Sequence, residues 1–181
     1  MPRFCSACGS PIRRRAPVAC PACGTEHWLV TSRAAAALVV HDGRLLLTQR
    51  AIEPWRGRWC APSGFCDGPE HPVATAERET LEEVGLRVRV TGYLGHWVDE
   101  YLPGGEGGVE PQWCAVFYYH AVPLGDLDLS CQPGEVSDAA WFQPDDLPAE
   151  LAPPGNGSRI YAAWREAFRG GRLETPLPDA D

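Results

Sequence analysis

Two apolar runs, Ala35 to Val40 and Leu45 to Gln49, flank Asp42-Gly43, a pair favoured in two-residue hairpin turns. They predict two antiparallel strands. Pro54, Trp55, Gly57 and Trp59 then interrupt any period as far as Pro62-Ser63-Gly64, so this stretch reads as a loop, with Trp55, Trp59 and Trp113 expected to pack the sheet. From Pro72 to Val84 the period becomes helical. Val73, Ala76, Leu81 and Val84 are expected on the core side, with Pro72 in the first turn and Gly85 at the left-handed C-terminal position. Val88 to Leu94, Cys114 to Val122 and Ala139 to Phe142 read as further strands, the first two separated by a Gly-rich loop, LPGGEGGVEP. A last helix, Arg159 to Phe168, carries Ile160, Ala163, Trp164 and Ala167 on one side, with Ser158 as its expected cap. The pattern predicts three segments: residues 1–32, a main domain over 33–170, and a frayed Pro-rich tail over 171–181.

Composition adds limits rather than elements. The 181 residues are 44% hydrophobic and 22% charged, without an apolar run that reaches the roughly 20 residues of a membrane span. The N-terminus lacks the apolar region of a signal peptide, so a cytoplasmic protein is expected. Net charge is −8, but residues 1–33 hold five Arg against Glu26, a net +4, which leaves −12 for the rest. An acidic body argues against wide nucleic-acid binding, and the Arg13-Arg14-Arg15 run reads as a solvated turn.

Four of the eight Cys are clustered. Cys5-x₂-Cys8-Gly and Cys20-x₂-Cys23-Gly stand eleven residues apart, the pattern of a small zinc ribbon in which four thiolates surround one Zn²⁺. Such a site is closed, hence structural. Two disulfides are the alternative, less suited to a chain with no export signal. Cys60, Cys66, Cys114 and Cys131 read as small buried hydrophobes.

The helix at 72–84 carries the candidate chemistry. Glu79, Glu82 and Glu83 occupy i, i+3 and i+4 positions, which share one face. With no Lys in the chain to neutralise them, they suit a hard divalent cation, Mg²⁺ or Mn²⁺, of the kind that bridges carboxylates to phosphate.

Gly64, Glu70 and the run Arg78-Glu79-Thr80-Leu81-Glu82-Glu83-Val84-Gly85-Leu86 together resemble the Nudix box, G-x₅-E-x₇-R-E-U-x-E-E-x-G-U, where U is a bulky aliphatic; Thr80 departs from it at one U. The resemblance implies a Nudix α/β/α sandwich around a mixed sheet, preceded by the Cys₄ ribbon, and hydrolysis of a nucleoside diphosphate linked to another group. A ribbon ahead of the box is similar to the NADH pyrophosphatase branch and to related ADP-ribose and FAD diphosphatases. By that resemblance Glu79, Glu82 and Glu83 hold the catalytic Mg²⁺ or Mn²⁺, with the Ser63 carbonyl and Glu135 completing the shell. Arg78 orients the carboxylates and Glu70 braces the loop. Phe65 and His96 are the expected substrate contacts. Glu82, Glu135, Glu79, Glu106 and Glu110 all stay open as the general base.

The branch's signature, S-Q-P-W-P-F-P-x-S beyond the box, is missing, since that region reads GHWVDEYLPGGEGGVEPQW. Its absence favours an ADP-ribose-like or FAD-like substrate, and Pro103 lies near a proline that marks ADP-ribose cleavers. NADH cleavage, triphosphate cleavage of the mutator type, and a nucleotide-sensing module without turnover are the alternatives. A small-molecule nucleotide partner and a homodimer are implied by the family, and neither a membrane nor nucleic acid.

Overall fold

The computed structural model describes residues 4–13, 17–28, 30–102 and 112–174. Pro103, Glu106 and Glu110 of the Gly-rich stretch, and Arg14 and Arg15 of the basic run, lie outside the described residues. The chain begins with a two-stranded ribbon, β1 (Val18–Ala19) and β2 (Glu26–His27). The body follows as β3 (Ser32–His41), β4 (Arg44–Arg50), β5 (Trp59–Cys60), β6 (Ser63–Phe65), α1 (Pro72–Val84), β7 (Val88–Leu102), β8 (Gln112–Pro123), β9 (Val136–Phe142) and α2 (Gly157–Arg169). Among the described residues, no helix is long and apolar enough to cross a membrane.

The sheet is mixed, in the order β5-β4-β3-β8-β7, with β6 added to β3 and β9 to β4. β3 runs parallel to β8 and antiparallel to β4 and β6. The β3–β4 turn is tight because Asp42 and Gly43 are both left-handed, as a two-residue hairpin of this type requires. Alternation along β3 feeds two cores. Ala35, Ala37 and Val39 pack with Ala76 and Val84 of α1, whereas Ala36 and Leu38 pack with Ile160, Tyr161 and Trp164 of α2. One helix therefore covers each face, which is the α/β/α sandwich expected from the sequence.

Helix α1 has the expected limits. His71 caps it, its Nδ1 accepting from Val73 N at 3.2 Å, and Gly85 closes it at φ 71° with its N–H on the Leu81 carbonyl at 2.9 Å. Leu81, expected in the core, is 43% exposed, while Thr80 is fully buried with its hydroxyl donating to the Ala76 carbonyl at 2.7 Å. Thr80 thus occupies the aliphatic position by returning its polar group to the helix.

Three other expectations change. The stretch read as a loop contains β5 and β6, because Trp59 and Cys60 pair with β4 and Ser63 to Phe65 pair with β3. β7 continues past Leu94 to Leu102, with register shifts at Val90/Gly92, Tyr93/Gly95 and Glu100/Leu102 that break its alternation. Helix α2 starts at Gly157 behind Asn156 rather than Ser158, and Asn156 makes no side-chain cap bond.

Candidate active site

The strand β6 brings Gly64 against helix α1. A Cβ at this position would stand 2.1 Å from the carboxyl carbon of Glu79, so the close approach requires glycine. One turn on, Glu83 points into the same space. Its Oε1 accepts from the Ser63 N–H at 3.3 Å and its Oε2 from the Thr48 hydroxyl at 3.2 Å. Burial pushes the Glu83 pKa up to about 8, the Glu79 charge adding to the effect and the Ser63 and Thr48 bonds opposing it. Glu79 is also raised by burial, against the pull of Arg78, with Glu82 and Glu135 adding repulsion.

Arg78 organises the outer side. Its Nε and one terminal nitrogen grip both oxygens of Glu70 at 2.9 Å. The other terminal nitrogen donates to Glu79 at 2.8 Å and to Glu82 at 2.9 Å. The fork of one guanidinium therefore holds three carboxylates. Glu70 is pulled down to about 2, first by Arg78, and it also accepts from the Asp67 N–H at 3.2 Å and the Thr75 hydroxyl at 2.8 Å. Glu70 braces the 67–70 loop onto the helix and does not face the cleft.

That cleft encloses about 370 Å³, with Glu79, Glu83 and Glu135 among its lining. Trp55, Phe65 and Tyr101 line it too. The Tyr101 ring meets Trp55 edge-on at 5.7 Å and Phe65 at 5.2 Å, a shared aromatic wall. Trp55 is held in a left-handed conformation, φ 66°, beside Arg50, whose guanidinium lies 5.9 Å from the indole and donates to the Pro54 carbonyl at 2.7 Å. The Tyr161 hydroxyl accepts from the Ala61 N–H at 2.8 Å, fixing the segment between β5 and β6 that leads to Ser63.

The residues picked from the sequence divide accordingly. Glu79, Glu83, Glu135, Ser63 and Phe65 line the cleft. Glu82 is half-exposed and turned to Arg78. His96 is exposed, bonded to the Tyr93 hydroxyl at 2.8 Å and tilted against Phe117. Phe117 belongs to the α1 side of the sheet, whereas Trp97, one residue on, packs on the α2 side and Asp99 and Tyr101 line the cleft. His96 therefore points away from the cleft, and its choice as a substrate contact is corrected. Trp55 was expected to pack the sheet and instead lines the site. Arg50, Asp99 and Tyr101 carried no motif.

The donor set is that of a hard cation. Two desolvated carboxylates with raised pKa values line the cleft together with a third, Glu135, and oxygen ligands of this kind suit Mg²⁺ or Mn²⁺. The four ribbon sulfurs form a different set. Their ligand atoms all lie within 4.8 Å of one another, and Cys5–Cys23 and Cys8–Cys20 are 3.6 and 3.7 Å apart. A tetrahedron with Zn–S bonds of about 2.3 Å has edges of roughly 3.8 Å. The cluster therefore fits a zinc ribbon. Its two halves repeat one turn, with the Gly9 N–H on the Cys5 carbonyl and the Gly24 N–H on the Cys20 carbonyl, both at 2.9 Å.

A family model described as the NUDIX domain matches residues 31–164. The chain belongs to the Nudix family. The bacterial NAD-capped RNA hydrolase NudC of Stutzerimonas stutzeri is 32% identical over 179 residues, 97% of this chain and 60% of its own. A mitochondrial NAD(P)H pyrophosphatase of Homo sapiens is 28% identical over 84% of this chain and 42% of its own. The chain thus spans about 60% or less of the length of these two curated relatives. A crystal structure of a NUDIX hydrolase from Nitrosomonas europaea shares 26% identity at a TM-score of 0.74, covering 97% of this chain and 96% of that one. This agreement extends over the ribbon end as well as the Nudix body.

Proposed function

We propose that this Nudix hydrolase cleaves the diphosphate bridge of a dinucleotide, or of an ADP-ribose-like nucleoside diphosphate, into two phosphorylated products. One observation carries the reading: a single cleft is lined both by three carboxylates and by an aromatic wall, as a substrate with a diphosphate next to a planar ring requires. Glu79, Glu83 and Glu135 are the residues that would hold divalent cations, with Glu82 at the rim. Such ions, when bound, neutralise the phosphate oxygens and lower the pKa of a bound water.

The chain's own groups do the positioning. Arg78 fixes Glu79 and Glu82 in place, and Ser63 and Thr48 fix both oxygens of Glu83. Arg50, beside Trp55, supplies positive charge to the same cleft without an ion-pair partner within 4 Å among the described residues.

Relatives named for NAD-capped RNA and NAD(P)H favour a nicotinamide dinucleotide. The absent S-Q-P-W-P-F-P-x-S signature favours ADP-ribose or FAD as the second reading. Purified protein with Mg²⁺ or Mn²⁺ is to be assayed against NADH, ADP-ribose, FAD and dGTP, with the products identified. Two monophosphates from a dinucleotide, or AMP and ribose phosphate from ADP-ribose, support the proposal. Inorganic diphosphate from dGTP as the preferred reaction would replace it with the mutator-type activity.

A further inference from the structure

Asp99 lies on β7 with its side chain in the wall of the cleft, and it is only 7% exposed. Its Oδ1 accepts from Asn156 Nδ2 at 2.9 Å. Its Oδ2 has no hydrogen-bond partner among the described residues. Tyr118 and Cys114 stand close enough to feel its charge, and no cation pairs with it among the described residues. A buried carboxylate oxygen left in this state is costly, because it has lost water and gained nothing in return. Burial accordingly pushes the Asp99 pKa up, with the Asn156 bond opposing it.

The fold gives up a helix cap to hold it there. Asn156 is the N-cap of α2, a position where Asn ordinarily accepts from the helix backbone. Here the side chain makes no cap bond and donates instead to Asp99 and to the Val98 carbonyl, the latter at 3.2 Å. Asn at this position ordinarily stabilises a helix by capping it, so the exchange favours placing Asp99 over stabilising α2. Asn156 is thus a positioning residue, and Asp99 is the group being positioned.

We propose that Asp99 is the specificity-determining residue of the cleft, its Oδ2 accepting an N–H from an amino or carboxamide group on a planar ring of the substrate. The aromatic wall of Trp55, Phe65 and Tyr101 lies in the same cleft and suits such a ring. The chemistry is shared by two sources, the carboxamide of a nicotinamide and the exocyclic amine of an adenine. This inference rests on the dinucleotide reading and extends it to the ring that the cleft selects.

The test uses mononucleotides, so that it does not depend on turnover. Dissociation constants of the whole protein with Mg²⁺ are measured by calorimetry for two pairs: nicotinamide mononucleotide against nicotinic acid mononucleotide, and AMP against IMP. In one pair the wild-type protein is expected to prefer the amino-bearing member by at least about tenfold. Asp99→Asn, which turns a donor towards the cleft while Asn156 keeps its acceptor, should abolish or invert that preference. The pair that responds names the ring. Absence of any preference in the wild-type protein, or an equal weakening of all four ligands in the variant, overturns the proposal. An unchanged unfolding midpoint checks that Asp99→Asn folds; should it not fold, Asn156→Ala must reduce the same preference, and an unaltered preference there also overturns it. A wild-type protein that hydrolyses no dinucleotide while its ring preference responds to Asp99→Asn would remove the diphosphatase reading and leave Asp99 standing.

Discussion

Glu83 is a carboxylate that the fold holds out of water, and the sign of its pKa shift has consequences for stability. Its folded value of about 8 lies above the ordinary 4.5, so between those values the native state keeps a proton that the unfolded chain has released. Stability from this group is fully present below pH 4.5 and is lost as pH rises towards 8. Without added Mg²⁺ or Mn²⁺, the unfolding midpoint should therefore fall across that window, and Glu83→Gln should flatten part of the slope, Glu79 keeping the remainder. Saturating divalent cation should reverse the trend, since it competes with protons for the same oxygens. Midpoints that rise from pH 5 to 8 in the ion-free protein would contradict the buried-carboxylate account. Glu70 acts oppositely, its lowered value giving stability above pH 4.5 that is lost as pH falls towards 2.

The same residue tests the chemistry. A Glu83→Gln protein with unchanged fold should lose on the order of 10²-fold or more in kcat on the best substrate, because several kcal/mol of charge stabilisation depend on a correctly placed ion. Wild-type turnover in that variant at saturating Mg²⁺ would dismiss Glu83 from the metal site. Much of this was readable beforehand, because fixed spacing on a helix places Glu79 and Glu83 together whatever surrounds them. Asp99 was not readable. Its importance lies in an unpaired oxygen and a diverted cap, neither of which leaves a mark in the order of residues.

At the scale of the element, α1 is a helix whose two sides have different duties. One turn of it, Thr80 to Val84, closes the core, and Thr80 does so with a hydroxyl that returns to the Ala76 carbonyl. Thr80→Val should keep activity and raise stability by about 1 kcal/mol, because a methyl replaces a buried hydroxyl whose bond adds little to the helix. A midpoint gain of about 2–4 °C would show it in a protein of this size; a loss would mean that the hydroxyl supports the helix. The other side faces β6. Gly64→Ala puts a Cβ where the Glu79 carboxylate now is, so the side chain must swing away while the strand pairing survives. Activity should drop on the order of 10²-fold, the penalty for misplacing a catalytic group by about 1 Å, with little change in circular dichroism. Undiminished kcat would remove Glu79 from the proposed metal set. The helices were easier to read than the strands, for a physical reason. Register shifts on β7 change which side chains face the cleft, so His96 reads as a neighbour of the site while it points to the opposite face.

For the whole molecule, the question is whether ribbon and body unfold together. Both hydrophobic clusters of the body are built from Ala35 onward, and no described residue of the ribbon belongs to either. Trp28 and Val30, on the link, are 63% and 80% exposed, so little apolar surface is shared across it. The ribbon has two strands of two residues each, too few to be stable unaided, and a metal held by its four thiolates would supply its order. Cys20→Ser should therefore abolish stoichiometric zinc and unfold the ribbon while the body keeps its own transition. The separation is visible as loss of zinc by elemental analysis, proteolysis confined to the first 30 or so residues, about the ribbon's length by the spacing of its Cys pairs, and an unchanged main melting transition. Hydrolysis of a free dinucleotide or of ADP-ribose should persist, because neither the carboxylates nor the aromatic wall draws on the ribbon. A main transition that moves down by the several degrees expected for a loss of 1–2 kcal/mol would instead make the ribbon part of the body's cooperative unit.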